Sequence, residues 1–168
     1  MARVRRALAA SACAMVALTA QGQRGTDRPM HVVVPKVAIS ASPSDERAML
    51  AALNALRTAA GERRLILDAS LTTMARRYAR TMLEQQFIGH TDPSGHTMAD
   101  RFRAARVRFR TAGENLAFAP DAGGAERLLE KSPPHRRNLL DRSFSRVGIG
   151  AVRAGPHAAA YVQEFAGG

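Results

Sequence analysis

The chain has 168 residues, of which 46% are hydrophobic, which is enough for one globular domain with its own core and too short for two. Its formal charge is +11, from 25 basic and 14 acidic residues, and only Lys36 and Lys131 among the basic ones are lysines. The arginines are spread along the sequence, so they do not indicate a nucleic-acid-binding surface. A basic surface is nevertheless attracted to anionic partners such as lipid headgroups or cell-wall polymers.

Residues 1–20 predict a signal peptide. Met1–Arg6 is basic, Ala7–Ala20 is apolar, and the small Ala20 precedes a polar residue. The apolar run is too short to span a bilayer as a helix, so we expect export to the periplasm or out of the cell. In an alternative, residues 10–13 resemble a lipoprotein processing site, with Cys13 as the acylated residue. Cys13 is the sole cysteine, so a mature chain cut at Ala20 would contain no disulfide.

Residues 21–42 lack helical periodicity and predict a linker or pro-segment. Within them, the HVVVP run at His31–Pro35 is compatible with a short edge strand that Pro35 ends. We therefore place the folded domain at residues 43–168.

The first half of that domain has helical signals. Ser42 is a predicted N-cap for a helix that Gly61 ends, and Asp68 or Ser70 begins a second helix with Leu71, Met74, Tyr78 and Met82 on its buried face. A DPSG turn follows at residues 92–95. Thr97 and Asp100 then form a predicted capping box for a third helix that runs to about Ala105.

The second half has the strand signals. We predict a strand at 107–111, a loop at 119–124, a short helix at 126–131, a helical turn at 135–140, and a hairpin of strands 146–153 and 158–165. Helices that come early and strands that come late favour an α+β layered domain over a doubly wound parallel sheet.

The titratable residues that stand out are His90, His96, Glu114 and His135. Each has an ordinary explanation when taken alone. His90 would satisfy backbone groups near the turn, Glu114 would lie in the first turn of a helix, and His135 would be solvated beside two arginines. His96 adjoins the Thr97 cap and is better explained as a loop or capping residue of the turn.

Four segments in order resemble a known family. They are FIGHTDPSGHT (87–97), RTAGENLA (110–117), SPPHRRNLL (132–140), and RVGIGAV with YVQEFAG (146–152 and 161–167). Together they resemble the bacterial SCP-like proteins of the CAP superfamily, which also contains cysteine-rich secretory proteins, antigen 5 proteins and plant pathogenesis-related proteins. Each motif is short, but four in the right order make the resemblance strong.

The resemblance implies a three-layer α-β-α sandwich with a central antiparallel sheet and a cleft lined by histidines and acids. His90 matches the histidine of the family's first motif, Glu114 the glutamate of AGEN, and His135 the histidine of SPGHR. The chain departs from the pattern at Leu129, where bacterial relatives place a Trp, and at Pro134, which replaces a Gly. These departures affect one wall of the implied cleft.

Two histidines and a carboxylate are also a Zn²⁺ ligand set that leaves one tetrahedral position open for water. Their separations, 24 residues from His90 to Glu114 and 21 more to His135, are too long to identify a site by spacing. Only the resemblance brings His90, Glu114 and His135 together as metal ligands or as catalytic residues.

Three functions remain open on this basis. The first is an exported binding domain whose cleft holds a small ligand, a lipid or a peptide, with a divalent metal, Zn²⁺ first, as a candidate cofactor. The second is a hydrolase of envelope or peptide material, with His90 and His135 as ligands and Glu114 as ligand or general base. The third is a basic interaction module that adheres to an anionic envelope surface. We expect a monomer that does not bind nucleic acid.

Overall fold

The structure is a computed structural model, and it describes residues 16–20, 29–34 and 37–168. Most of the predicted signal peptide, including Cys13, lies outside the described residues, as do Pro35 and Lys36.

Six strands of the described residues form the main sheet. They are β1 (Val16–Ala20), β3 (Ile39–Ala41), β4 (Ile66–Leu67), β6 (Thr111–Ala119), β7 (Arg146–Ala154) and β8 (Ala159–Gly167). Their order is β1-β6-β8-β7-β3, and all these neighbours are antiparallel, whereas β4 pairs parallel with the beginning of β7. A separate two-stranded ribbon joins β2 (Met30–His31) to β5 (Phe87–Ile88).

In the part of the chain that the structure describes, five helices cover the main sheet. They are α1 (Pro43–Ala59), α2 (Ala69–Glu84), α3 (Met98–Ala104), α4 (Ala122–Lys131) and α5 (Pro133–Leu140). Ser42, Asp68 and Thr97 cap the first three as predicted, and Thr97 with Asp100 completes the capping box. The predicted loop at 119–124 is too long, because Asp121 accepts a hydrogen bond from the Gly124 amide at 2.7 Å and begins α4 earlier.

The predicted strand at 107–111 is displaced. Helix α3 ends in a Schellman motif, in which Arg106 has a positive φ of 55° and the Val107 amide donates to the Phe102 carbonyl. The chain reaches the sheet only at Arg110, whose amide donates to the Gly167 carbonyl, so the strand runs from Thr111 to Ala119.

Successive side chains of the central strands point to opposite faces of the sheet, and this divides the core into two layers. Leu116, Phe118 and Val162 face α2 and β5, whereas Ala117, Tyr161 and their neighbours face α1, α4 and α5. The result is the α-β-α sandwich with a mostly antiparallel central sheet that the resemblance implied.

The segment predicted as a linker contributes two strands. Ile39–Ala41 pairs with the end of β7, and Met30–His31 pairs with β5. Strand β1, which lies inside the predicted signal peptide, pairs with the Glu114–Phe118 part of β6.

Two glycines in β7 allow α2 to lie directly against the sheet. A Cβ built on Gly148 would lie 2.1 Å from the Leu71 carbonyl carbon, and one on Gly150 would lie 2.3 Å from that of Ala75. Because these contacts are with helix backbone, neither neighbour can move aside without shifting α2.

We expect Gly148→Ala to lower the free energy of unfolding by about 3 kcal/mol or more, because the added methyl group overpacks the contact between α2 and β7. Urea unfolding followed by circular dichroism measures the change. The matched control is Gly123→Ala, in helix α4, where the nearest atom is the flexible end of Arg127 and alanine favours the helix. Equal stability of the two variants would contradict the close-packing explanation.

Candidate functional site

A buried cluster of polar side chains lies between the sheet and the helices α2 and α3. His90 follows β5, and Glu114 lies in β6 with its side chain on the α2 face of the sheet. The His90 Nδ1 donates to Glu114 Oε1 at 2.7 Å, and both side chains are almost completely buried. The structure therefore brings these two predicted residues into direct contact.

Arg101 of α3 joins the cluster to its surroundings. Its Nη2 donates to Glu114 Oε2, its Nη1 donates to the His90 carbonyl at 3.0 Å, and its guanidinium carbon lies 3.4 Å from the centre of the Tyr78 ring. The Tyr78 hydroxyl in turn donates to the carbonyl of Gly89. The guanidinium lowers the pKa of Glu114 to about 2 despite the opposing effect of burial, so this carboxylate is ionised.

A second carboxyl group completes the cluster. Glu164 of β8 lies directly opposite Glu114 in the sheet register and is equally buried. Burial, followed by the negative charge of Glu114, raises the pKa of Glu164 well above its usual range. Burial beside an ionised carboxylate therefore favours the neutral form of Glu164, and the Arg101 Nε lies 3.9 Å from Glu164 Oε1.

His135 belongs to the other layer. It lies in α5, and its carbonyl accepts a hydrogen bond from the Asn115 side chain at 3.4 Å. Because successive side chains of a strand point to opposite faces, Asn115 and Glu114 lie on opposite faces of β6. The structure thus places His135 across the sheet from the pair formed by His90 and Glu114.

A chain of buried amides runs through the layer that contains His135. Asn138 donates to Asn115, Asn115 donates to Gln163, and Gln163 donates to Glu126 Oε1, with distances of 2.9, 3.1 and 2.8 Å. Burial, followed by the charge of Glu130, raises the pKa of the Glu126 carboxyl to about 8. This network fixes α4 and α5 against β6 and β8.

The residues present do not fit the Zn²⁺ site considered from the sequence. Both oxygens of Glu114 are occupied, one by His90 and the other by the cationic Arg101, and a cation would be repelled by that guanidinium. Among the residues that the structure describes, no group of three or more His, Cys, Asp or Glu side chains is arranged to hold a metal ion.

An open groove lies above the cluster, between α2 and α3. Its volume is about 710 Å³, and its lining includes Tyr78 and Arg101, which separate it from the buried carboxylates. Met74 and Ala105 supply apolar surface, and the exposed Arg77 lies on the α2 side. On the opposite side, Asp92 and His96 bond to each other within the turn, as expected for turn chemistry.

Three residues of the two buried networks, Arg101, Glu164 and Glu126, were not among the predicted site residues. A signal for Glu164 was present, because it follows Val162 by two residues and therefore shares the core-facing phase of a central strand. Arg101 gives no such signal, since arginines flank Phe102 on both sides and only the fold shows that Arg101 is largely shielded from solvent while Arg103 is exposed.

The model of the cysteine-rich secretory protein family, CAP, matches residues 50–165, which is well over half of the chain. The chain belongs to the CAP family. The CAP match covers the cluster, the groove and both layers of the core.

Known proteins agree with this assignment. The uncharacterized protein YkwD of Bacillus subtilis is 27% identical over 73% of this chain and 47% of its own length. A Bacillus anthracis extracellular protein containing an SCP domain is 26% identical, with a TM-score of 0.67 over 74% of this chain and 40% of that one. An outer surface protein of Borrelia burgdorferi shares the fold, with 21% identity and a TM-score of 0.72 over 78% of this chain and 98% of that one.

This chain spans less than half the length of the curated relatives that it matches. In the described part of the CAP chain, we find no helix with the length and apolar character that a membrane crossing requires.

The two cluster glutamates should respond differently to substitution. Glu164→Gln should change the free energy of unfolding at pH 7 by less than about 1 kcal/mol, because glutamine resembles the neutral carboxyl in shape and hydrogen bonding. Glu114→Gln should cost about 3 kcal/mol, because it leaves the buried Arg101 without its charged partner. Chemical denaturation of both variants measures the difference, and equal losses would contradict the assigned protonation states.

Glu126 should make stability depend on pH. Its pKa is raised from 4.5 to about 8 in the folded chain. The contribution of Glu126 to the free energy of unfolding is therefore complete below about pH 4.5. It falls as the pH rises to about 8, by roughly 3–5 kcal/mol in all. Glu126→Gln should remove this decline, while the control Glu130→Gln on the same helix should retain most of it. Unfolding free energies at pH 5 and pH 8 test the prediction, which fails if the Glu126→Gln and wild-type profiles are parallel.

Proposed function

We propose that this CAP domain is an exported binding domain, and that its ligand site is the groove between α2 and α3. The observation that carries the proposal is the groove itself, about 710 Å³ in volume and open to solvent above a buried, charge-compensated floor. A space of that size is in the usual range for a small-molecule site.

The lining favours an amphipathic ligand with an acidic group. Met74, Tyr78, Ala104 and Ala105 offer apolar surface to the body of such a molecule. The Arg77 guanidinium, which has no side-chain hydrogen bond or ion pair among the described residues, is available to an anionic head. Asp92 on the other side is occupied by the backbone amides of Ser94 and His96.

Hydrolysis has less support. His90 and Glu114 are 3% and 0% exposed, and Arg101 and Tyr78 lie between them and the groove. A general base needs to come within hydrogen-bond distance of a bound substrate or its water, and the Glu114 oxygens are already bonded to His90 and Arg101. The cluster is better suited to hold the groove floor rigid.

Export is supported by the basic and apolar halves of residues 1–20 and by the relatives. The Bacillus anthracis protein is described as extracellular, and the Borrelia burgdorferi protein as an outer surface protein. The binding function is the same for a protein that stays in the periplasm and for one that leaves the cell.

Titration with a dansyl-labelled medium-chain fatty acid tests the proposal, since the probe combines an apolar body with a carboxylate. Arg77→Ala should weaken binding about tenfold through loss of a charge-assisted hydrogen bond. Ala104→Trp should abolish binding by filling the groove. The matched control is Arg80→Ala, an exposed arginine one turn further along α2 that does not line the groove.

Fluorescence enhancement and its saturation give the dissociation constant for each variant. Wild-type affinity in Arg80→Ala, together with the two losses, supports the groove as the site. Binding that survives Ala104→Trp unchanged would place the probe elsewhere and overturn the proposal.

A further inference from the structure

Five exposed arginines, Arg63, Arg64, Arg106, Arg108 and Arg110, lie at one end of the folded domain. The segment from Arg106 to Arg110 connects α3 to β6, and Arg106, Arg108 and Arg110 are all exposed. None of their side chains forms a hydrogen bond or an ion pair with another residue that the structure describes. Their charge is therefore presented to solvent.

The same end of the sheet carries exposed apolar side chains. Ile66 is 70% exposed, Leu67 is 49% exposed and Phe109 is 41% exposed. Arg146 joins the strand that contains Ile66 to the segment 106–110. It pairs with Ile66 in the sheet, and its Nη2 donates to the Arg108 carbonyl at 2.7 Å. We call this surface the arginine end, and it consists of Arg63, Arg64, Ile66, Leu67 and residues 106–110.

Neighbouring acids do not neutralise the arginine end. Glu62 is paired with Arg142 at 2.8 Å, and Asp68 is paired with Arg146 at 2.6 Å. The five arginines of the surface thus remain uncompensated beside three exposed apolar side chains. The Phe109 ring packs edge to face on Phe102, with centroids 5.0 Å apart, which holds it at the surface.

We propose that the arginine end docks on the surface of an anionic lipid bilayer. Arginines attract the domain to anionic headgroups, and each adjacent basic residue strengthens such binding about fivefold. The exposed Ile66, Leu67 and Phe109 favour a bilayer over a soluble polyanion, because a bilayer offers an apolar layer beneath its headgroups and a polyanion does not.

The arginine end adjoins the groove. Two residues that line the groove lie next to the arginine end in the chain. Ala69 comes two residues after Leu67, and Ala105 comes directly before Arg106. Docking would bring one end of the groove close to the lipid surface. Arg77 does not belong to the arginine end, so Arg77→Ala should weaken binding of the fatty-acid probe and leave vesicle binding unchanged.

A single tryptophan reports where the bilayer makes contact, because the chain has none of its own. Phe109→Trp places the reporter in the arginine end, and Ala48→Trp places the control on the exposed face of α1. With equimolar phosphatidylcholine and phosphatidylglycerol vesicles, the emission of Phe109→Trp should shift to the blue and be quenched by brominated lipid, whereas that of Ala48→Trp should do neither. Pure phosphatidylcholine vesicles should leave both unchanged.

Charge variants test the arginines by vesicle sedimentation. Arg106→Asn, Arg108→Ser and Arg110→Ser combined should weaken binding on the order of a hundredfold. Asparagine is chosen at position 106 because it tolerates the positive φ of that residue. The matched control combines Arg47→Ser, Arg80→Ser and Arg136→Ser, which removes the same charge from other exposed positions and should weaken binding less than about tenfold.

Both triple variants are made in the full chain, so residues 1–20 contribute equally to vesicle binding by the variant and by its control. Equal losses in the two triple variants would overturn the proposal. So would an unshifted emission of Phe109→Trp, and in that case binding of soluble polyphosphate with the same dependence on Arg106, Arg108 and Arg110 would identify a polyanion as the partner.

Discussion

The buried ion pair between Arg101 and Glu114 is the interaction on which the site depends. Removing two charges from water is costly, and it is tolerated here because both groups have further partners: Glu114 also accepts from His90, and Arg101 also donates to the His90 carbonyl. The pair therefore ties α3, β6 and the loop after β5 into one unit. Glu164, held neutral beside it, prevents a surplus negative charge in the core.

Much of the fold follows from local signals in the sequence. Capping residues such as Ser42 and Thr97 begin helices where predicted, because each satisfies amides that the helix leaves free. The errors arise where long-range pairing overrides local pattern. Residues 107–110 alternate like a strand, yet the turn at Arg106 delays sheet pairing until Arg110, and Ile39–Ala41 becomes a strand only because β7 offers it an edge.

The site was less accessible to sequence reasoning than the fold. Motif order identified His90 and Glu114, which are in contact, but the same logic grouped them with His135, which lies across the sheet. A motif records neighbours in the chain and says nothing about the face of a strand. The decisive partner, Arg101, is one of many arginines, and only the packing of α3 on Tyr78 distinguishes it from its exposed neighbours.

The placement of β7 and β8 has a consequence for the order of folding. These strands occupy the middle of the sheet, and they contribute Glu164 to the cluster, Gln163 to the amide network and the glycines on which α2 rests. Closing contacts between residues so distant in the chain is slow. The earlier helices can form as they are synthesised, but neither layer of the core can close until residues 146–167 have arrived. Through most of its synthesis the chain therefore lacks the strands that both layers of the core need.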